Sequence, residues 1–568
     1  MIASAAVDPS IHHTNTSVIA EVLFNRQHLT SLARILSQTS HAPNVQNSIN
    51  ITAGLIVDLC AEERHQHSIA SSGVLDALAT RIASFVVAEG LVIPGAEILA
   101  RRDELQDYFP PPAPRNAVLS VILQAVTAII TGSKLRASQL LYSPSILAVL
   151  PGNHAVDYIA GHVDDLSWNA FGGLASNSYN GQLNALDYLL PHLPIHNHKI
   201  SSAQAAAFPP LGSSTGRDHR TINGRSSYNK QNQTAQSSTW TQSSRADAST
   251  FIESSSESSE EESPLVAYLI FVLRSREGLG RLAAASVLAV LYRAGLTNKT
   301  RESAIATLVI PLLLDLINQD HDVGFQRDEA KDEKLLQQVR TVREKTPAVL
   351  AMFITDNEYL QKAAFDAHAI PRLCTMLKLA YDPVAESSIT RPWMPGPPTQ
   401  GQGDETQAPL LKNLGLSPQL LHNIKVREST LRAIAAIVPF KDEYRKVVVD
   451  EGLVPYIVES MNSRPGKPAP KTNEKNEKAT NGSVEEDSNL AYGMNPLPVI
   501  IAACGAIRAL SRSVSILRTT LIDIGIAPPV INLLHHPDLE VQIAATATMC
   551  NLVTDISPMR DVRNIPRT

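Results

Sequence analysis

Cysteine and aromatic residues are scarce in this chain of 568 residues. It contains four cysteines, and Phe, Trp and Tyr together make up 5% of the sequence. The cysteines lie far apart and form no Cys-x-x-Cys pair, which excludes a RING finger built from this chain alone. Each lies in an apolar, helix-like segment, so we expect buried, reduced thiols at Cys60, Cys374, Cys504 and Cys550.

A basic surplus and long apolar runs are also missing. Lys and Arg number 49 against 55 Asp and Glu, a net charge of −6, which disfavours nucleic-acid binding. The longest dense apolar run, 265–273, is too short to cross a bilayer. The N-terminus lacks a basic region followed by an apolar core. We therefore expect a soluble protein of the cytoplasm and nucleus, without a membrane span.

A short phrase recurs through the chain. It occurs at 518–534, 446–458 and 360–374, with a looser copy at 69–78. In each copy an apolar segment ends at a turn, and a second apolar segment follows. Glycine suits such a turn because it adopts positive φ without a Cβ clash, and proline suits the first turn of the next helix. The turn glycines are Gly73, Gly452 and Gly525. Prolines follow the turn in the copies at 360–374, 446–458 and 518–534, at Pro371, Pro455 and Pro528.

A longer helical pattern follows each phrase, with its apolar residues on one face. Ile500, Ala503, Ile507 and Leu510 give one such face, and 540–553 gives another. Without the polar stretches 383–410 and 463–489, successive copies lie about 55 and 46 residues apart, near the armadillo period of about 40–47. No long alternating segment predicts a sheet. The predicted fold is all-α, an armadillo-type α-solenoid with long disordered insertions.

Polar segments divide the predicted array into parts. Residues 211–263 are rich in Ser and Glu and bury too little apolar surface to fold. In region 151–210 the sequence predicts only a helix around 181–190. The recurring phrase does not appear again after Val553, so we expect a truncated array. The expected parts are a flexible N-terminus (1–20), N-terminal repeats (21–210), an acidic insertion (211–263), middle repeats (264–382), a Pro/Gly-rich loop (383–420), one repeat (421–462), a second insertion (463–494) and C-terminal repeats (495–557).

Catalytic and metal-binding signals are weak. Residues 212–216 match Gly-x-Ser-x-Gly, but no strand precedes them. His192, His196 and His198 have no carboxylate or cysteine in their cluster to complete a metal site. We therefore predict a protein that is not an enzyme and has no cofactor, no metal and no small-molecule substrate.

Residues 497–559 closely resemble the armadillo-repeat subunit of the GID/CTLH ubiquitin ligase, the vacuolar import and degradation armadillo protein of yeasts. Segments 426–437 and 47–54 support the resemblance. It implies a non-catalytic scaffold that bridges the catalytic core, built from RING and CTLH-domain proteins, to a substrate receptor for proteasome-dependent degradation of metabolic enzymes. Third helices would line a groove, and the candidate partner contacts are Asp58, Ala509, Arg512 and Asn551.

Two alternatives remain open, an armadillo nuclear-import adaptor and a catenin-like interaction scaffold. Import adaptors carry tryptophans on successive third helices, whereas Trp168, Trp240 and Trp393 lie outside the third helices predicted here. Catenin-type grooves are strongly basic, and the predicted third helices are not. Both features favour the ligase scaffold.

Overall fold

A computed structural model describes residues 25–93, 95–151, 262–318, 329–384, 417–468, 489–512 and 520–553. Every regular element in these ranges is helical, which confirms the predicted all-α class. They belong to one compact unit, formed by chain on both sides of Pro191–Glu260. The predicted helix at 181–190, the histidine cluster, the Gly-x-Ser-x-Gly match and nearly all of the acidic insertion lie outside the described residues.

The helices are numbered in chain order, and short helical turns are given with them. The N-terminal half contains α1 (Arg26–Leu36), α2 (Pro43–Leu59), α3 (Glu63–Ser71), α4 (Val74–Ala88), α5 (Ala96–Arg102), a 3-10 turn (Gln106–Tyr108), α6 (Leu119–Ile130), α7 (Lys134–Leu141), α8 (Pro144–Val149), α9 (Pro264–Ser275) and α10 (Gly278–Arg293).

The C-terminal half continues the numbering. It contains a 3-10 turn (Lys299–Arg301), α11 (Glu302–Ala304), a π turn (Ile305–Val309), α12 (Ile310–Asn318), α13 (Glu329–Ile354), α14 (Glu358–Asp366), α15 (Ala369–Leu379), α16 (Pro418–Ile437), α17 (Asp442–Asp450), α18 (Val454–Ser460), a 3-10 turn (Asn489–Tyr492), α19 (Leu497–Leu510), α20 (Ala527–Leu533) and α21 (Leu539–Leu552). Helix α16 begins inside the predicted Pro/Gly-rich loop, at Pro418.

The third helices of successive repeats form one stack. Helix α2 packs against α6, α6 against α10, α10 against α13, α13 against α16, α16 against α19 and α19 against α21. Helices α6 and α10 are neighbours although residues 152–261 lie between them in the sequence. The predicted acidic insertion therefore interrupts a repeat without interrupting the stack, and the armadillo-type solenoid is confirmed.

Apolar and small side chains make this stack possible. The predicted face of α19 is buried at Ile500, Ala503, Ile507 and Leu510. A Cβ placed on Gly505 would lie 3.8 Å from the Cβ of Ala435 on α16, an ordinary van der Waals contact. Small residues at this point let α16 and α19 approach closely.

The turns before the second helices have positive φ, as predicted. Gly73, Gly452 and Gly525 have φ of 86°, 67° and 93°. In the copy at 360–374 the residue in this conformation is His368, with φ of 59°, directly before α15. A side chain with a Cβ pays a steric cost in this region. The backbone N–H of His368 donates to the carbonyl O of Phe365 at 2.9 Å.

Polar side chains from each following repeat satisfy carbonyls at the ends of third helices. Gln66 Nε2 donates to the carbonyl O of Cys60 at 3.1 Å, and Gln361 Nε2 donates to that of Ile354 at 3.1 Å. Arg136 donates from Nε to the carbonyl O of Ile129 in the last turn of α6. Arg445 donates to the carbonyl O of Pro439, just after α16. The last carbonyls of a helix lack partners within it, so these bonds close the helix ends inside the core.

The cysteines behave in two ways. Cys60, Cys374 and Cys504 are buried, and burial raises the pKa of each thiol to about 12. The prediction was wrong for Cys550, which is exposed. Cys550 lies on a face of α21 that no described helix covers, and Leu539 and Ile543 are 67% and 60% exposed on the same helix.

No single helix in the described ranges is both long and apolar enough to cross a bilayer. Helices α3 and α4 reach that length and composition only when taken together as a pair bent by 70°.

Candidate interaction surface

The third helices share a register that defines an exposed surface. Counted back from their last residues, α16, α19 and α21 present half-buried or exposed residues at the same three distances. Nine, five and two residues before the end, these are Glu428, Arg432 and Ala435 in α16, Ile501, Gly505 and Arg508 in α19, and Ile543, Ala547 and Cys550 in α21. This repeated spacing aligns one stripe on each helix, as in an extended binding surface.

Helix α16 contributes two cations to this surface. The side chains of Lys425 and Arg432 are 62% and 55% exposed. Arg432 pairs with Glu428 one turn earlier, with NH2 and Oε1 2.7 Å apart. Exposed pairs of this kind contribute little to stability, so the arginine can exchange its partner at low cost.

Helix α13 places a further lysine beside α16. Lys345 keeps part of its side chain exposed, but the surrounding protein displaces water from its ammonium group and lowers its pKa. The charge of Lys425 lowers this pKa further. The carboxylates of Glu344 and Asp58 oppose this shift. Glu344 is itself shared, 3.5 Å from Lys425 Nζ and 2.9 Å from Nδ1 of the buried His422.

Helix α19 adds two cations and no anion. Arg508 and Arg512 are exposed, and the helix contains no acidic residue. Positive charge therefore collects on the exposed face of α13, α16 and α19, at Lys345, Lys425, Arg432, Arg508 and Arg512, which we call the basic stripe.

The predicted contact residues have different surroundings. Asp58 is exposed in the last turn of α2, and Arg512 is exposed just after α19. Ala509 is buried, with 5% of its surface exposed, so Arg508 beside it presents the side chain at this end of α19. Asn551 is half-buried and donates from Nδ2 to the carbonyl O of Arg508 at 3.0 Å. The structure brings Ala509, Arg512 and Asn551 to one end of the stack, while Asp58 lies on α2 and its charge acts on Lys345 of α13.

Sequence reasoning missed Lys345, Lys425, Arg432 and Arg508. The signal for Arg508 was present in the spacing, because it lies on the exposed side of α19, whose buried side had been identified. Arg432 and Arg508 stand at different positions of the exposed register, five and two residues before the ends of their helices.

A buried arginine fixes the position of α16. Arg427 is 0% exposed and donates to the carbonyl O of Ala380 from Nε and NH2, at 3.0 and 2.9 Å. It also donates to the carbonyl O of Tyr492 at 2.8 Å and to Oδ1 of Asn495 at 3.0 Å. Its guanidinium lies 4.1 Å from the ring centroid of Tyr381. Arg427 thus ties α16 to the end of α15 and to the segment that leads into α19.

A cavity of about 290 Å³ lies between α13, α15 and α16. Its polar lining includes Arg343, Gln419, His422 and Asn423. Gln419 accepts a hydrogen bond from Arg340 and donates one to Asn423, and His422 is paired with Glu344. These groups serve the packing of α13 on α16, and the arrangement contains no paired nucleophile and base. Among the described residues, no group of His, Cys, Asp and Glu could hold a metal ion.

Comparison with known proteins gives matches of two kinds. The Armadillo/beta-catenin-like repeat family model matches residues 517–554. GID complex subunit 5 of Schizosaccharomyces pombe is 30% identical over 296 residues, which cover 52% of this chain and 30% of that protein. Armadillo repeat-containing protein 8 of Xenopus laevis is 23% identical over 305 residues, covering 50% of this chain and 36% of that protein. The sequence resemblance is confirmed, and the aligned chain spans about a third of the length of these relatives.

Among solved structures, a designed armadillo repeat protein is similar to this chain with a TM-score of 0.30 and 14% identity. The match covers 51% of this chain and 82% of the designed protein.

Proposed function

We propose that this armadillo-repeat protein, a relative of GID complex subunit 5, is a non-catalytic scaffold subunit of a GID-type ubiquitin ligase complex. The observation that carries the proposal is the continuous stack from α2 to α21 combined with the similarity to that subunit over half of the chain. A stack of third helices offers an extended surface and suits binding of partner segments better than chemistry in a pocket.

In this role the chain bridges the catalytic core, built from RING and CTLH-domain proteins, to a substrate receptor. Metabolic enzymes captured by the receptor are then ubiquitylated for degradation by the proteasome, in the cytoplasm and nucleus. The resemblance found in the sequence supports this role, and the basic stripe supplies a surface for one of the partners. Asp58, Arg512 and Asn551 stay candidate contacts, whereas the side chain of Ala509 is buried and Arg508 beside it is exposed.

An import adaptor is less well supported. The described third helices contain no tryptophan, since Trp168, Trp240 and Trp393 all lie outside the described residues. The third helices that the structure describes therefore carry no ladder of tryptophans that would hold basic signal peptides.

Affinity purification of the tagged full chain followed by mass spectrometry tests the proposal. We expect RING and CTLH-domain subunits to co-purify in stable proportion, and a tagged unrelated protein from the same cells to recover none. Recovery of nuclear-pore or junction proteins in place of ligase subunits would overturn the proposal. Turnover of a substrate by the purified chain alone would overturn its non-catalytic part.

A further inference from the structure

We propose that the basic stripe binds an extended, acidic segment of a partner protein. The inference rests on the proposed scaffold function and gives the chemistry of one partner. The exposed cations of α13, α16 and α19 are the observation behind it.

The cations at the α19 end of the stripe have no carboxylate partner within the described residues, whereas Lys425 and Arg432 lie beside Glu344 and Glu428. Arg508 and Arg512 are four residues apart and exposed, and no ion pair involves either of them within the described residues. Lys425 shares the carboxylate of Glu344 with His422. The whole chain has a net charge of −6, so a run of cations on three neighbouring helices opposes its average composition. An anionic ligand is the complement of such a surface.

The surface between the cations is low and partly apolar. Gly505 and Ala435 meet where α16 and α19 cross, so no large side chain rises between the helices there. Leu497 is 39% exposed and Ile501 is half-buried on the same side of α19. A backbone can therefore approach closely, with apolar side chains on Leu497 and Ile501 and carboxylates on the arginines.

The spacing of the helices suits an extended chain. Packed helices lie about 8–10 Å apart, and an extended peptide advances about 3.3 Å per residue. Acidic residues two or three positions apart would therefore reach cations on successive helices, from Lys345 through Arg432 to Arg508.

A peptide fits this surface better than a nucleic acid does. Proteins that bind single-stranded nucleic acid add aromatic platforms for base stacking to their cations. Neither α16 nor α19 contains Phe, Tyr or Trp.

Fluorescence polarisation with the purified full chain tests the proposal. The probes are a fluorescein-labelled peptide of three Glu-Ala-Glu-Leu units and its matched Lys-Ala-Lys-Leu counterpart. We expect the acidic probe to bind, the basic probe not to bind, and the affinity to fall as NaCl is raised. Failure of the acidic probe to bind, or equal binding of both probes, would overturn the proposal.

Charge-reversal variants locate the site. Arg508→Glu with Arg512→Glu should weaken binding of the acidic probe at least tenfold. The matched control, Arg101→Glu with Arg274→Glu, makes the same charge change at exposed arginines on α5 and α9 and should weaken it less than twofold. Unchanged circular dichroism and melting of both variants verify folding. Equal losses in the two variants would show a general charge effect and defeat the assignment.

Two other occupants have distinct signatures. Tight binding of a single-stranded oligonucleotide, lost in Arg508→Glu with Arg512→Glu while the acidic probe fails to bind, would replace the peptide proposal. Glu→Gln changes at Glu253, Glu257, Glu260 and Glu261 should leave the probe affinity unchanged. A marked gain would show that the chain's own acidic segment occupies the stripe in place of a partner. The assay uses purified chain alone, so its failure is separable from loss of ligase subunits in affinity purification.

Discussion

Arg427 offers the sharpest test of how this fold is held together. The substitution Arg427→Met keeps a long, flexible side chain of similar reach and removes the five N–H donors of the guanidinium. In the wild-type chain those donors serve three acceptors: the carbonyl O atoms of Ala380 and Tyr492 and the side-chain Oδ1 of Asn495. All belong to segments that flank α16 in space and are far from it in sequence.

The expected loss follows from those contacts. Each buried acceptor left without a partner costs about 1–3 kcal/mol. The lost contact with the Tyr381 ring adds to this, since a desolvated cation–π pair contributes about 2 kcal/mol. Methionine needs no desolvation of a cation, which offsets part of the loss. We expect the free energy of unfolding to fall by about 3–5 kcal/mol, as for other broken buried charge networks.

Urea denaturation and hydrogen exchange provide the assay. Repeat arrays often unfold in several steps, so the local exchange rates carry more weight than a single midpoint. Arg427→Met should raise exchange at residues 380–384 and 489–495. The matched control is Arg432→Met on the same helix, where the arginine is 55% exposed and paired only with Glu428. It should cost about 0.3–0.5 kcal/mol and leave both segments protected. Equal midpoints and equal exchange in the two variants would refute this account of Arg427.

Two further predictions concern thiols and turns. A thiol reagent at pH 8 should modify only Cys550 quickly, because a pKa of about 12 leaves the three buried thiols only about 10⁻⁴ ionised. The substitution Cys550→Ser should abolish the fast phase of modification. A fast phase that survives this substitution would contradict the burial of the other three cysteines. Replacing His368 by glycine should raise the free energy of unfolding by up to about 1 kcal/mol, since glycine adopts positive φ without strain. Gly525→Ala should lower it by about 1–2 kcal/mol. Denaturation midpoints that move together in both turn variants would exclude backbone strain as the cause.

Much of the fold was predictable because the armadillo pattern is local. The apolar faces of α19 and α21, and the turn at Gly525, depend on residues a few positions apart, so the sequence displays them directly. The turn at His368 was less visible, because a histidine has no intrinsic preference for positive φ and so carries no local signature of the turn. The candidate surface was only partly predictable for the same reason. Exposed positions follow from the register of a helix, but Arg508 and Arg432 become neighbours only when α19 packs on α16.

The polar connections that close the core could not be predicted, since they join distant parts of the chain. Arg427 lies in a helix that reads as amphipathic, yet its partners are at the end of α15 and before α19. The backbone N–H of Val384 also donates to the carbonyl O of Ala491 at 3.1 Å. Val384 and Ala491 are therefore neighbours, close to the segments that Arg427 joins.

This arrangement explains how a solenoid carries such long insertions. The entropic cost of closing a loop grows only slowly with its length, so an insertion is tolerated where its two ends are already held together. Around Arg427 the ends are held by buried hydrogen bonds, and at residues 152–261 the packing of α6 on α10 carries the stack past the insertion. Insertions can then vary at the edges of the repeats while the exposed register of α13, α16 and α19 keeps its spacing. Partner specificity is therefore expected to reside in that register.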